Sequence, residues 1–171
     1  MNFCISLRGL AVLPLVVLAA CTLPDQSLLP PNVRLSAYSS GMDAVIDQYN
    51  GAKLTVTDPN APIDFAAEGF SSLVGLARVE LRFNLSVGCW VSGDRLVVTN
   101  LAMPPLVASW SPSDPVMLHG FIEHTLEQAG LCRRIGIGGR DAGISGFVWM
   151  SATSRSGLTT QSKQLLIDNP S

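Results

Sequence analysis

The sequence lacks the motifs by which several common classes of hydrolase are recognised. It contains no Gly-x-Ser-x-Gly, no Ser-x-x-Lys and no His-Glu-x-x-His, which are patterns that place an activated serine or a zinc ion at a defined point of a fold. Histidine is scarce, with two residues in a chain of 171. The sequence therefore nominates no catalytic residue, no metal ligand and no cofactor, and an enzyme with an unrecognised site is kept only as an alternative function.

Charged residues are also few, at 14% of the chain, whereas 47% of the residues are hydrophobic. This composition excludes a disordered protein and is sufficient for one buried core. A long apolar run is missing too, because the stretch at 9–17 is much shorter than the roughly 20 residues that a membrane-spanning helix needs. Together with Arg8 before it and the small residues after it, this stretch is typical of a signal peptide over residues 1–20.

The signal ends in Leu-Ala-Ala-Cys at 18–21, which resembles the lipobox of bacterial lipoproteins. The resemblance implies that the Cys21 thiol carries a diacylglycerol, that the chain is cut before Cys21, and that the membrane is a partner. Two or more acyl chains give stable anchoring rather than reversible binding. The residue after Cys21 is Thr22, and lipoproteins sorted to the outer membrane have a residue other than Asp at this position. The resemblance therefore implies a location at the periplasmic face of the outer membrane.

Residues 21–35 are predicted to be a tether that follows the lipidated cysteine. Pro24, Pro30 and Pro31 favour extended chain, and ten such residues reach roughly 30 Å. Alternatively, Leu28 and Leu29 pack this segment onto the domain. Residues 36–171 are predicted to form a single globular α+β domain.

The sheet of that domain is predicted from β-rich segments. Val79, Leu81, Phe83 and Leu85 alternate with polar neighbours, as in an antiparallel strand with one buried face. Ser92-Gly93 is a plausible tight turn, which predicts a hairpin between strands near 80–91 and 94–99. The expected architecture is a small antiparallel sheet or partly open barrel, with strands at Lys53–Thr57, Arg78–Ser86, Asp94–Thr99 and Ile144–Met150.

One main amphipathic helix is predicted from Asp114 to about Ala129. Asp114 is suited to cap it, Pro115 to its first turn, and Gly130 to a left-handed terminator. Spacings of three and four residues predict one face that packs on the sheet. That face comprises Leu118, Phe121, Ile122, Thr125, Leu126 and Ala129.

A second resemblance involves residues 50–150. Val87-Gly88-Cys89, then Gly93 to Leu96, then Leu101-Ala102-Met103 and the predicted helix are similar to the core of META-domain envelope proteins. In that family a Gly-Cys-Asn turn leads to a strand, a Thr-x-Met-Ala-Cys-like stretch and a helix. The resemblance implies an α+β envelope domain.

Two cysteines remain if Cys4 is removed with the signal and Cys21 is acylated. An oxidising periplasm allows Cys89 and Cys132 to pair, and closing that loop would stabilise the fold by about 4 kcal/mol. Two free buried thiols, or a reactive or metal-binding pair, are the other interpretations. Two cysteines without nearby histidines are a poor metal signature.

On the predicted helix, His119, Glu123 and Glu127 share a stripe opposite the apolar face. Such a stripe can hold a metal or supply carboxylates for acid–base chemistry, or it can be a solvated polar face. His124 lies about 140° from His119 around a helix, so the two histidines do not converge.

Charge is unevenly distributed along the chain. From residue 21 to 130 there are eleven acidic and five basic residues, whereas from 131 onward there are two acidic and five basic. The C-terminal third is predicted either to form a basic patch that meets lipid A, a wall polymer or an acidic envelope protein, or to carry dispersed solubilising charge. Nucleic acid is not expected as a partner. The basic residues of the C-terminal third are Arg133, Arg134, Arg140, Arg155 and Lys163.

These observations favour a lipid-anchored, non-enzymatic binding or assembly module at the periplasmic face of the outer membrane. The alternative is a small periplasmic hydrolase or metal-dependent enzyme. An exposed apolar or charged surface favours the module, and a pocket with clustered Asp, Glu or His favours the enzyme.

Overall fold

A computed structural model of the chain describes residues 29–71 and 73–169. The predicted signal peptide, Cys21 and most of the predicted tether lie outside the described residues. The described part forms eleven strands and one short helix, in the order β1 Asn32–Ser39, β2 Met42–Asp47, β3 Ala52–Thr55, β4 Ile63–Phe70, β5 Leu76–Val91, β6 Arg95–Leu101, β7 Leu106–Ser109, β8 His119–Leu126, α1 Leu131–Arg134, β9 Arg140–Ser154, β10 Thr159–Gln161 and β11 Leu165–Asp168.

The strands form two sheets. The first has four strands in the order β2-β1-β4-β8, and the second follows the order β3-β11-β9-β5-β6, with β10 added to β9 and β7 added to β5. The long strands β5 and β9 pair with each other along nearly their whole length. All pairings are antiparallel except the one between β3 and β11.

Alternation of side chains builds one core between the two sheets. In β1, Val33, Leu35 and Ala37 are buried, whereas the residues between them face outward. The inner faces meet where Phe65 of β4 packs edge-to-face on Phe83 of β5, with ring centroids 5.6 Å apart. The molecule is therefore a β-sandwich, in which apolar positions of both sheets interdigitate.

The predicted α+β class is wrong, because the predicted helix at 114–129 is absent. The Asp114 carboxylate accepts the N–H of Ser111 at 2.6 Å within a turn, so it caps no helix. Strand β8 follows and pairs with β4 over its full length. Gly130 does adopt the left-handed conformation, at φ 69°, but it precedes the four-residue helix α1.

The burial predicted for that helix is wrong in part for the same reason. Leu118 and Phe121 are 46% and 59% exposed, whereas Leu126 is buried. Because side chains of a strand alternate, the even-numbered residues of β8 face the core and the odd-numbered ones face outward. Gly120 is required at its inward position, since a Cβ there would meet the ring of Trp110.

The predicted strands and hairpin are confirmed. Strand β5 pairs with β6 from Val91 opposite Arg95 to Leu85 opposite Leu101, around a turn at Ser92–Asp94. Gly93 has φ 80° in that turn, a conformation that glycine adopts without steric cost. Segments within 53–57 and 144–150 are also strands, in β3 and β9.

Cys89 of β5 and Cys132 of α1 form a disulfide, with an S–S distance of 2.06 Å and Cα atoms 5.8 Å apart. Of the three interpretations open for this pair, the structure has the bonded one. The Asp141 carboxylate supports the same turn, because it accepts the N–H groups of Gly130 at 2.6 Å and Cys132 at 2.8 Å. The bond and these contacts attach α1 to the end of the long strands.

Candidate functional site

The outward side of the four-stranded sheet carries a mixed acidic and aromatic surface, which we call the acidic-aromatic face. Alternation along β1, β2, β4 and β8 places every second side chain there. The register brings these side chains into rows across the sheet. The face comprises Asn32, Arg34, Ser36, Tyr38, Asp43, Val45, Asp47, Asp64, Ala66, Glu68, Phe70, His119, Phe121, Glu123 and Thr125.

The middle of this face is a shallow cavity of about 520 Å³. Its floor contains Ser36 and Ala66, which lie opposite each other in β1 and β4. Larger side chains, including Tyr38 and Glu123, stand around these small residues. The cavity therefore results from short side chains at the centre of a sheet with long ones at its margin.

The charge on the face is strongly unbalanced. Five carboxylates lie among its residues with a single arginine, Arg34, and one histidine, His119. Like charges concentrated over one surface create a potential that attracts counter-ions. The face is thus negative at neutral pH. The carboxylates are those of Asp43, Asp47, Asp64, Glu68 and Glu123.

Two of these carboxylates are held by hydrogen bonds. The backbone N–H groups of Asn50, at 2.7 Å, and Tyr49, at 2.6 Å, lower the pKa of Asp47 and keep it ionised. The Thr125 hydroxyl donates to the Asp64 carboxylate at 2.6 Å. Both acids therefore have restricted orientations before any partner is bound.

Aromatic rings lie beside the acids. Tyr38 is 51% exposed, and its cross-strand neighbours are Asp43 and Asp64. The ring of Phe70 stacks on that of His119 with centroids 4.4 Å apart, and Phe121 is the neighbour of Glu68. An exposed ring next to a carboxylate suits an ammonium or guanidinium group, which is attracted by both.

A second cavity of about 470 Å³ opens between β8 and the end of β6, and we call it the edge groove. Its lining is mostly apolar and includes Leu101, Met103 and Leu126. His124 points inward from β8 and lines both cavities. Its ring lies at the edge of Phe83, with centroids 5.6 Å apart, and its Nε2 is buried without a hydrogen-bond partner.

Burial lowers the pKa of His124 below its ordinary value of 6.5. The unfolded chain therefore binds a proton more readily than the folded one, and stability should fall as the pH drops below about 6.5. We expect wild type to lose more stability between about pH 7.5 and about pH 5.5 than His124→Gln does. Urea midpoints measured at both pH values test this.

The matched control is Ile122→Val, which alters the same inward-facing side of β8 but removes no titratable group. That variant should keep the pH dependence of wild type. Equal pH dependence in wild type and His124→Gln would show that His124 titrates alike in the folded and unfolded states.

The residues predicted as a helical stripe do not converge. In β8, His119 and Glu123 face the same side, but four residues of strand separate them by about 13 Å, compared with about 6 Å in a helix. The Nε2 of His119 is 3.9 Å from a Glu68 oxygen. Glu127 follows the end of the strand. In residues 29–71 and 73–169, no group of three or more His, Cys, Asp or Glu side chains is placed to hold a metal ion.

The predicted basic residues do not all lie together. Arg133 and Arg134 are in α1, whose Cys132 contacts the Arg140 carbonyl. Arg140 begins β9 and Arg155 follows its last residue, Ser154, so these two are on the order of 50 Å apart at about 3.3 Å per residue. Arg134 and Arg155 also donate to main-chain carbonyls. Arg134 binds those of Glu127 and Ala129, and Arg155 binds those of Ser111, Asp114 and Pro115.

No protein-family model matches the chain, and no curated protein sequence matches it. The resemblance to lipoproteins at 18–21 lies outside the described residues and stays a prediction. The resemblance to META-domain proteins over residues 50–150 also stays a prediction, but the helix and the α+β fold that it implies are wrong, because strand β8 stands where the helix was expected. Within the described part of the chain, no helix is long and apolar enough to cross a bilayer.

Sequence reasoning missed the acidic-aromatic face. Its signal is present in NVRLSAYS at 32–39 and IDFAAEGF at 63–70, where polar or aromatic residues alternate with apolar ones. Alternation of this kind predicts strands with one exposed side. Strand pairing decides which strands lie side by side with their exposed residues on one surface. The composition of the acidic-aromatic face therefore follows only from the fold.

Proposed function

We propose that the protein is a lipid-anchored envelope protein, tethered through Cys21 to the periplasmic face of the outer membrane. There it acts as a non-enzymatic binding module for a cationic segment of another envelope protein. The observation that carries the proposal is the acidic-aromatic face, with its cavity of about 520 Å³. The anchor rests on the lipobox-like residues 18–21.

The dimensions of the face suit an extended peptide. The four strands are spaced about 4.8 Å apart, so a peptide of about five residues in extended conformation is long enough to cross the face. Lysine or arginine side chains of such a peptide reach the carboxylates of Asp64 and Glu123 on one side and the ring of Tyr38 on the other. Charge complementarity of this kind accelerates association and selects among partners.

The same charge argues against the other partners considered for this protein. Lipid A phosphates and anionic wall polymers are repelled by a surface with five carboxylates and one arginine. The five predicted basic residues do not form one continuous patch, since Arg140 and Arg155 lie at opposite ends of β9. The acids that line the cavity, Asp43, Asp64 and Glu123, also fit the hydrolase alternative, but they stand on the open outer side of a sheet among exposed rings, which favours the binding module.

Charge removal on the face provides the test. We expect the double variant Asp64→Asn, Glu123→Gln to bind a fluorescent hexalysine peptide about tenfold more weakly than wild type, because each exposed ion pair contributes up to about 1 kcal/mol. Fluorescence anisotropy at low ionic strength measures the affinity. Added salt should weaken wild-type binding, since exposed charges are screened.

The matched control is Asp94→Asn, Glu127→Gln, which removes the same number of exposed acids from outside the face. It should bind the peptide within about twofold of wild type if a local surface, rather than net charge, attracts the ligand. Equal loss in both double variants would refute the face as the site. Binding of neutral glycan fragments that survives high salt would point instead to a wall polymer.

A further inference from the structure

One end of the sandwich exposes large aliphatic side chains, and we call it the apolar end. It is defined by Leu29, Leu73, Val116, Met117 and Leu118, which are between 37% and 61% exposed. Two backbone hydrogen bonds hold the segments together, from Ser71 N–H to the Leu118 carbonyl at 2.8 Å and from Leu76 N–H to the Met117 carbonyl at 2.7 Å. Contiguous exposed apolar groups of this kind mark an interaction site.

The loop that carries part of the apolar end is fixed in place. The Arg155 guanidinium donates to three carbonyls of that loop, at Ser111, Asp114 and Pro115. The Asp114 carboxylate closes a turn by accepting the Ser111 N–H. Val116, Met117 and Leu118 therefore belong to a fixed segment that exposes their side chains, and the carbonyls of Met117 and Leu118 accept hydrogen bonds from the neighbouring segment.

The chain also enters the domain at this end. Asn32, the first residue of β1, pairs with Phe70, the last residue of β4, and Ser71 follows directly. Leu29, three residues before β1, is itself 49% exposed. The entry point of the tether and the apolar end are thus the same part of the molecule.

The length of the tether limits how far this end can stand from an anchor. Ten residues lie between Cys21 and Asn32, and eleven Cα–Cα steps of at most about 3.5 Å give a reach of about 38 Å. Strand β9, with 15 residues, is on the order of 45 Å long. A domain held at Cys21 therefore keeps its apolar end within about 38 Å of the lipid, and a short tether raises the local concentration of that end at the surface.

We propose that the apolar end rests on the lipid surface, with Leu73 and the Val116–Leu118 segment inserted among the headgroups. This inference rests on the proposed anchor at Cys21. Strands β1, β4 and β8 each have one terminus at this end, so they extend away from the bilayer. The acidic-aromatic face then points sideways into the periplasm, where it is open to a partner protein.

The test uses the full chain reconstituted in vesicles of phosphatidylethanolamine and phosphatidylglycerol. A Val116→Cys variant and a Ser92→Cys control at the opposite end are labelled with an environment-sensitive dye. Since Cys89 and Cys132 are bonded, and since Cys4 is proposed to leave with the signal and Cys21 to be acylated, the introduced thiol is the one that reacts. We expect blue-shifted emission and quenching by spin-labelled lipid at position 116, and neither at position 92.

A charged variant tests the apolar end directly. Adding Leu73→Asp and Leu118→Asp to the labelled Val116→Cys chain should abolish the blue shift and the quenching. The variant should still float with the vesicles and keep the β-sheet circular dichroism of wild type, because the anchor and the core are unchanged.

The outcomes separate the two proposals. If wild type floats but spin-labelled lipid does not quench the dye at position 116, or quenches it equally at position 92, the apolar end does not rest on the lipid. The anchor at Cys21 stands in that case. If wild type fails to float, the anchor is wrong, and quenching at 116 in a Cys4→Ala, Cys21→Ala chain with excess vesicles then decides the seating by itself. A blue shift that needs high protein density and shows no lipid quenching overturns the proposal in favour of a second copy covering this end.

Discussion

Replacing Cys21 by alanine is expected to abolish incorporation of labelled palmitate and to release the protein from the membrane fraction. The thiol of Cys21 is the proposed site of the diacylglycerol, and each acyl methylene buried in the bilayer contributes about 0.8 kcal/mol, so the anchoring depends on this one attachment. Metabolic labelling and membrane fractionation measure both effects. The loss should be complete, because no second lipid-attachment motif is proposed.

Cys4→Ala is the matched control. It removes the other cysteine of the N-terminal segment, which the proposed cleavage discards with residues 1–20, and it should leave labelling and membrane retention unchanged. The proposal fails if palmitate still enters the Cys21→Ala protein. It also fails if mass spectrometry finds that the wild-type protein in the membrane retains its first 20 residues.

Phe65→Ala should destabilise the protein by about 3–5 kcal/mol, the usual cost of removing a buried aromatic side chain. Phe65 is 2% exposed on the inner face of β4 and packs against Phe83 of the opposite sheet. Phe121→Ala should change stability by less than about 0.5 kcal/mol, because its side chain stands on the solvent face of β8. Denaturant midpoints of the two variants measure the difference.

This pair tests the fold as well as the two side chains. A helix at 114–129 places Phe121 in the core and predicts that Phe121→Ala is costly, whereas the strand predicts that it is nearly neutral. If Phe65→Ala prevents folding, Phe65→Leu offers a milder change, expected to cost less than Phe65→Ala because it leaves a smaller cavity. A larger loss for Phe121→Ala than for either Phe65 variant would mean that the faces of β8 are reversed.

The error at 114–129 has a physical origin in β8. Leu118, Phe121, Ile122 and Leu126 satisfy helical spacing, but Ile122 and Leu126 also fall on the period of two that a strand requires. A segment this short fits both periods. Pairing with β4 selected the strand, and the close contact of Gly120 with Trp110 is available only in that conformation.

The sequence by itself determined the local elements whose signals do not depend on distant partners. The turn at Ser92–Asp94 follows from a glycine that tolerates positive φ between two β-rich segments, and the strand at 78–86 follows from strict alternation. These are properties of a few consecutive residues. The lipobox-like signal at 18–21 is equally local, because four consecutive residues carry the whole motif.

Only the tertiary structure decided which faces meet and what they display. Asp64 and Thr125 are hydrogen-bonded although 61 residues separate them, and the acidic-aromatic face draws on four strands between residues 32 and 126. The apolar end likewise depends on Ser71 and Leu76 bonding to Leu118 and Met117. Side-chain alternation is a local property of the backbone, whereas strand pairing depends on contacts between distant residues, so the sequence could show exposed positions but not the surfaces they form together.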